Sequence, residues 1–272
     1  MVRKESILAL NAKIAIAKDV IKDSLNSFNR LAIVRSGGKD SIGVLDLVAK
    51  CTEELGLKLP TVLFIDPGEH YPETFKIISK SESKYNFKTI IAKNSDALNT
   101  IKNGNIQISD LSELNRNEVN IIGFLNKEFE YSLESDVGNH ILKTVQMNDA
   151  MVEYRFDALF TEVRWDENEA RPTEIFMYQR KNPEHIRLQL ISPFLEKDIW
   201  QYIFKYNLLT QYKIVINGSN SSIDEFSSHN GNKIDYDIIL KMVNHLKIFN
   251  IDNEFILDSD KIVNEVMKKY GA

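Results

Sequence analysis

Ser36-Gly37-Gly38-Lys39-Asp40-Ser41 is the stretch from which this chain is read. An apolar run, Leu31-Ala32-Ile33-Val34, precedes it, and a helical pattern begins near Ile42. Strand, glycine turn and helix together form a ready site for phosphate. The two glycines let the backbone bend close to a ligand. The first N–H groups of the following helix lack intrahelical acceptors, and its dipole favours negative charge there. Lys39 adds a positive point charge. Ser36 and Ser41 add hydroxyls that can meet phosphate oxygens. A Walker loop is excluded, because no glycine stands four residues before the Gly-Lys pair. An ordinary glycine-rich connector is the rival reading of these six residues.

Outward from the loop, the elements alternate. Apolar residues at Ile7, Leu10, Ile14, Ala17, Ile21, Leu25 and Phe28 predict an amphipathic helix before the first strand. After the loop, Ile42, Leu45, Val48, Ala49 and Leu55 predict a helix that stops near Gly56. Thr61-Val62-Leu63-Phe64-Ile65-Asp66 reads as a second buried strand, with Pro72 suited to the first turn of the next helix. Residues 87–91 read as a third strand. This alternation implies a parallel sheet with ligands beyond its carboxyl ends, where Asp66 joins the glycine loop.

Residues 94–135 are less regular. Short helices are expected around 95–101 and 118–129, with a turn at Asn103-Gly104-Asn105. A helix over 139–155 and a fourth strand over 157–163 follow. The latter releases a dense polar string, Arg164-Trp165-Asp166-Glu167-Asn168-Glu169-Ala170-Arg171-Pro172-Thr173-Glu174. Its two arginines can close on an oxyanion while the acids orient them, or the string can be a solvated loop. Residues 187–193 read as a last short strand, leading into a helix over 196–203 that buries Ile199, Trp200 and Ile203. Residues 217–232 read as a Ser/Asn/Gly-rich loop, and two amphipathic helices are expected beyond it, the second from Asp258 or Ser259. The expected domains are 1–30, an N-terminal helix; 31–215, the nucleotide-binding α/β domain; and 216–272, a loop and helical extension.

The chain has 272 residues, 43% of them hydrophobic, and a net charge of −5. That supports a sizeable core and argues against a general nucleic-acid surface. One cysteine, Cys51, cannot form an internal disulfide, a cysteine zinc site or a two-cysteine redox pair. No secretory pattern or run of ~18 apolar residues is seen, so no membrane span and a cytoplasmic setting are expected. None of the five histidines has metal-ligand spacing.

Together these pieces resemble a known family. The 36–41 loop looks like the PP-loop of the ATP pyrophosphatases. Phe64-Ile65-Asp66-Pro67-Gly68 with Tyr71-Pro72-Glu73-Thr74 resembles a segment of the phosphoadenosine phosphosulfate (PAPS) reductases. Lys143-Thr144, Phe156-Asp157-Ala158, then Arg164, Asp166, Glu167, Arg171 and Glu174 resemble the sulfate adenylyltransferase small subunit in order and spacing. Asp198-Ile199-Trp200-Gln201-Tyr202-Ile203 is similar to a helix of that subunit. The resemblance covers residues 31–206.

It implies a doubly wound, adenine nucleotide alpha hydrolase-like sheet that binds ATP with Mg²⁺. Ser36, Gly37, Gly38, Lys39, Asp40, Ser41, Asp66 and Gly68 would hold the nucleotide. Lys39, Asp40, Arg164 and Arg171 would be catalytic. Arg164, Asp166, Glu167 and Arg171 would face an anionic acceptor, and Asp40 and Asp66 would reach the metal. The implied reaction is adenylyl transfer from ATP with loss of pyrophosphate, and the implied partners are a large GTPase subunit or further copies of the chain. Two departures matter. The reductases' C-terminal cysteine is missing, which disfavours thiol-dependent reduction. Thr161-Glu162 stands where the transferase has Gly-Gly, which puts sulfate in doubt. A reductase-family protein lacking the catalytic cysteine, a flavin-nucleotide adenylyltransferase and a non-catalytic nucleotide-binding subunit are the alternatives.

Overall fold

Apolar stretches too short for helices become strands, and longer amphipathic ones become the helices between them. The computed structural model describes residues 8–68, 70, 72–167 and 176–208. The chain divides into two compact units, Met1–Phe194 and Leu195–Ala272.

In the first unit, α1 (Leu10–Ser27) lies against α2 and buries Ile14, Ala17 and Ile21. Burial of each isoleucine contributes ~2 kcal/mol. Then come β1 (Leu31–Arg35), α2 (Lys39–Glu54), β2 (Thr61–Ile65), α3 (Pro72–Tyr85) and β3 (Thr89–Ala92). α2 begins at Lys39, three residues before the apolar periodicity becomes visible, because Gly38 serves as its N-cap. Cys51 is buried in α2, and burial raises its thiol above the ordinary value, as expected of a packing residue.

The chain next leaves the main sheet. It forms α4 (Ser95–Asn99), β4 (Ile101–Lys102), β5 (Asn105–Gln107), α5 (Glu113–Ile121) and β6 (Glu128–Glu130). β4, β5 and β6 make a small antiparallel sheet. Asn103 and Gly104 both have positive φ, 51° and 77°. That is the two-residue hairpin turn that Asn-Gly favours. The expected helix over 118–129 is corrected: α5 starts earlier, where the Ser112 side chain caps Asn115 N, and residues 128–130 are strand. The expected continuous helix over 139–155 is α6 (Asp136–Asn139), a π-turn at His140–Thr144 and α7 (Val145–Glu153).

The excursion has its own core, including Ile106, Leu111, Val119, Phe129, Ile141 and Leu142. Asn94 and Asn115 satisfy each other inside it at 2.9 and 3.1 Å, and Asn94 also donates to Ile141 O at 2.9 Å. Tyr131 Oη donates to Pro67 O at 2.9 Å, which fixes the excursion to the loop after β2.

The chain returns through β7 (Ala158–Thr161), β8 (Met177–Lys181) and β9 (Glu184–Gln189). The main sheet has the order β3-β2-β1-β7-β9-β8. All its pairings are parallel except β8 with β9. β1 and β7 are covered on both faces, as central parallel strands are, whereas the polar β8 is an exposed edge. Ile33 pairs with Val62 on one side and Phe160 on the other. From β1 the chain runs outward through β2 and β3, and later resumes on the other side of β1 with β7. The connections after β1 and β7 therefore diverge, and the crevice between them is the topological switch point.

In the second unit, the described part is α8 (Glu196–Lys205) and the residues next to it. Asp198 accepts from Leu195 N at 2.8 Å and caps the helix. Ile199 and Ile203 are buried as expected, whereas Trp200 is only half-buried and stacks on Phe204 at 6.0 Å. The loop over 217–232 and both C-terminal helices expected beyond it lie outside the described residues.

Candidate functional site

The glycine loop closes β1 at the switch point. Gly37 has φ +84°, and a Cβ there would lie 2.5 Å from Thr74 Cγ2, so both the turn and the approach of α3 require glycine. The loop's serines hold its amides: Gly37 N donates to Ser41 Oγ and Gly38 N to Ser36 Oγ, both at 3.1 Å. Ser41 Oγ passes its own hydrogen to Gly38 O at 2.9 Å. The first turn of α2 points its remaining N–H groups at the same spot.

Charges form a chain across the crevice. Lys39 Nζ is 3.3 Å from Asp40 Oδ2, and Asp40 Oδ1 accepts from Arg164 Nη1. Arg164 Nε donates to Asp166 Oδ1 at 2.8 Å. Two residues 124 positions apart thus join the loop after β1 to the string after β7. Burial pulls the Arg164 pKa down, but Asp40 and Asp166 outweigh it and leave it above the ordinary value. Arg164 is a fixed cation at every accessible pH.

Arg35 and Glu162 stand at the neighbouring ends of β1 and β7. Arg35, which closes β1, is fully buried. Its Nη2 donates to Ser81 Oγ at 3.0 Å, while Nε and Nη1 have no hydrogen-bond partner. Burial lowers its pKa to about 10, against the charges of Glu162 and Glu82. Glu162, just past β7, is half-buried as a residue, but its Oε2 is enclosed and unpartnered. Burial raises its pKa from 4.5 to about 7. Asp40 and Glu167 add to the rise, and the Ser36 and Ser41 hydroxyls oppose it.

The other expected residues fall as follows. Asp66 is buried at the end of β2, where Oδ1 accepts from Gly68 N at 2.9 Å and Oδ2 pairs with Lys93 at 3.1 Å. Gly68 has φ +90°, and a Cβ there would meet Tyr131 Oη at 2.5 Å. Asp166 and Glu167 are exposed beyond Arg164. Arg171 lies outside the described residues, as do Asn168 to Glu174 around it. Arg35 is absent from the expectations above; its one signal is an arginine ending an otherwise apolar strand. Magnesium ligation by Asp40 and Asp66 fits poorly, because each carboxylate already faces a cation. Among the described residues, no three His, Cys, Asp or Glu side chains gather to hold a metal, and no helix is long and apolar enough to cross a membrane.

Comparison with known proteins covers this same region. The family model described as the phosphoadenosine phosphosulfate reductase domain matches residues 30–212. Sulfate adenylyltransferase subunit 2 of Aliivibrio fischeri (strain MJ11) is 24% identical over 212 residues, covering 70% of this chain and 61% of that protein. The same subunit of Mycobacterium sp. (strain KMS) is 26% identical over 215 residues, covering 70% and 59%. The chain thus spans about three fifths of the length of these relatives. In fold, it is similar to phosphoadenylyl-sulfate reductase from Candida auris, solved as a phosphate complex. The TM-score is 0.52 at 15% identity, covering 78% of this chain and 92% of that one.

Proposed function

Because the chain belongs to the phosphoadenosine phosphosulfate reductase domain family, we propose that it binds ATP in the 36–41 loop and transfers the adenylyl group to an oxyanion acceptor. The observation that carries this reading is the intact loop at the switch point, tied through Asp40 to Arg164. Relatives named as sulfate adenylyltransferase subunits support transfer as the class of reaction.

In this reading the loop amides, the first turn of α2 and Lys39 grip the β- and γ-phosphates. An acceptor oxygen attacks the α-phosphorus, the bond to the bridging oxygen breaks, and its electron pair leaves on pyrophosphate. The donors that grip the leaving group stabilise the charge it gains. Arg164, together with Arg171 beyond the described residues, offsets the acceptor's charge. Because the carboxylates fit a magnesium ion poorly, no step is routed through one. A partner subunit and a cytoplasmic setting belong to the same proposal.

A second reading, nucleotide binding without turnover, is favoured by the acidic Glu162 beside the loop. The test incubates the protein with α-labelled ATP, Mg²⁺ and each of sulfate, flavin mononucleotide and tRNA. Pyrophosphate release with a labelled adenylyl product is expected with one of them. Absence of both across all three, with ATP still bound, would replace the first reading with the second. Absence of ATP binding would overturn both.

A further inference from the structure

We propose that Glu162 is a positioning residue of the phosphate loop, whose carboxyl takes up a proton from solvent when a polyphosphate enters the loop and returns it when the polyphosphate leaves. This rests on the reading of the 36–41 loop as a polyphosphate site.

The Ser36 and Ser41 hydroxyls, which steady the Gly37 and Gly38 amides, also act on the Glu162 carboxyl. These hydroxyls favour the ionised carboxylate, but burial outweighs them. The enclosed Oε2 has no hydrogen-bond partner. An enclosed carboxylate with one unpartnered oxygen is a poor anion.

Asp40 on α2 and Glu167 beyond β7 face Glu162 and oppose its ionisation. Arg35 on β1 favours it, but Arg35 also answers to Glu82 on α3. Lys39 and Arg164 are engaged with Asp40. This balance holds the carboxyl near neutrality, at about 7. A polyphosphate adds several negative charges on the loop side and tips it to the neutral acid.

Proton linkage reads this directly. The full chain and Glu162→Gln are titrated with α,β-methylene ATP by calorimetry, in buffers of different ionisation enthalpy, at pH 6 and pH 8. At pH 8 the wild-type protein is expected to take up between about half and one proton more per ligand than the variant, and at pH 6 the two counts agree. The variant, neutral throughout, binds about tenfold more tightly at pH 8 and equally at pH 6. Equal counts and parallel affinities at both pH values would overturn the inference and leave the loop reading standing. No binding by either protein would overturn both. If Glu162→Gln does not fold, infrared difference spectra of the wild-type protein decide. A protonated-carboxyl band growing on ligand addition at pH 8 supports the proposal, and its absence overturns it.

Discussion

Replacing Glu162 with glutamine in the empty protein isolates what an acid at this position does to the fold. Glutamine keeps the shape and removes the ionisation. Glu162 is raised from 4.5 to about 7 in the folded state, chiefly by burial. Below pH 4.5 both folded and unfolded chains hold the proton, so the carboxyl carries no penalty. Between 4.5 and about 7 only the folded chain holds it, so stability falls as pH rises, by up to about 1.4 kcal/mol per pH unit from this group. Above about 7 the penalty is complete, with a ceiling of about 3 kcal/mol. Arg35 loses a nearby negative charge in the variant, yet it titrates near 10 and stays charged at pH 8. Loss of the acid's bonding to Ser36 offsets up to ~1 kcal/mol. Glu162→Gln should therefore be more stable than wild type by about 1–2 kcal/mol at pH 8, and no more stable at pH 4.5. Urea midpoints measured from pH 4.5 to 8.5 give the comparison. A difference that does not change with pH, or a wild type that is the more stable at pH 8, would refute the placement of this carboxyl.

Gly37→Ala forces a side chain onto a backbone at φ +84° and against Thr74. A loss of about 1–3 kcal/mol in unfolding free energy and at least tenfold in ATP affinity is expected, by denaturation and calorimetry. Lys39→Ala should leave the melting temperature within about 2 °C of wild type, because Lys39 is half-buried and its ion pair with Asp40 is partly solvated, while ATP affinity falls about tenfold or more. Unchanged ATP affinity would contradict the loop assignment. Arg164→Met removes the buried cation that joins Asp40 to Asp166 and should cost about 3 kcal/mol in a urea melt. Adding Asp40→Asn should recover part of that loss, and strict additivity of the two would show that the pair is not coupled.

What could be read from the chain was what the periodicity and one turn encode locally. Leu31 to Val34 are apolar without a break, the glycines follow at once, and a 3.6-residue pattern begins within a turn. Strand, loop and helix therefore stood out, and β2 with Pro72 repeated the signal. The small sheet did not stand out, because β4 is two residues and β5 and β6 are three each. Its marker, Asn103-Gly104, was legible as a turn, but two residues of flanking strand show no alternation. α5 was misplaced for a different reason. Ile121 and Leu125 are apolar yet exposed, so the apolar pattern runs past the end of α5, while its N-cap at Ser112 stands before a mostly polar first turn. β8 was invisible because its residues are polar, and an edge strand needs no buried face.

The site itself divides along the same line. The loop's own serines and glycines act within six residues, so their chemistry followed from spacing. The Asp40–Arg164 pair and the Arg35–Glu162 couple depend on which strands are neighbours. Only the order β2-β1-β7 brings the end of β1 beside the end of β7. That order also explains why Glu162 matters more than its type alone would suggest. On an exposed strand end it would be one more solvated acid. Beside β1 its enclosed oxygen lies within the electrostatic reach of Arg35 and of the phosphate loop's hydroxyls. A substitution at either strand end is then felt by the loop, and a ligand in the loop is felt by the carboxyl. Exchanging Arg35 for methionine would test that symmetry. With the nearby cation gone, the Glu162 carboxyl should titrate higher still, and the pH above which ATP affinity declines should rise with it. An unmoved pH profile in a folded Arg35→Met protein would show that the two strand ends act separately.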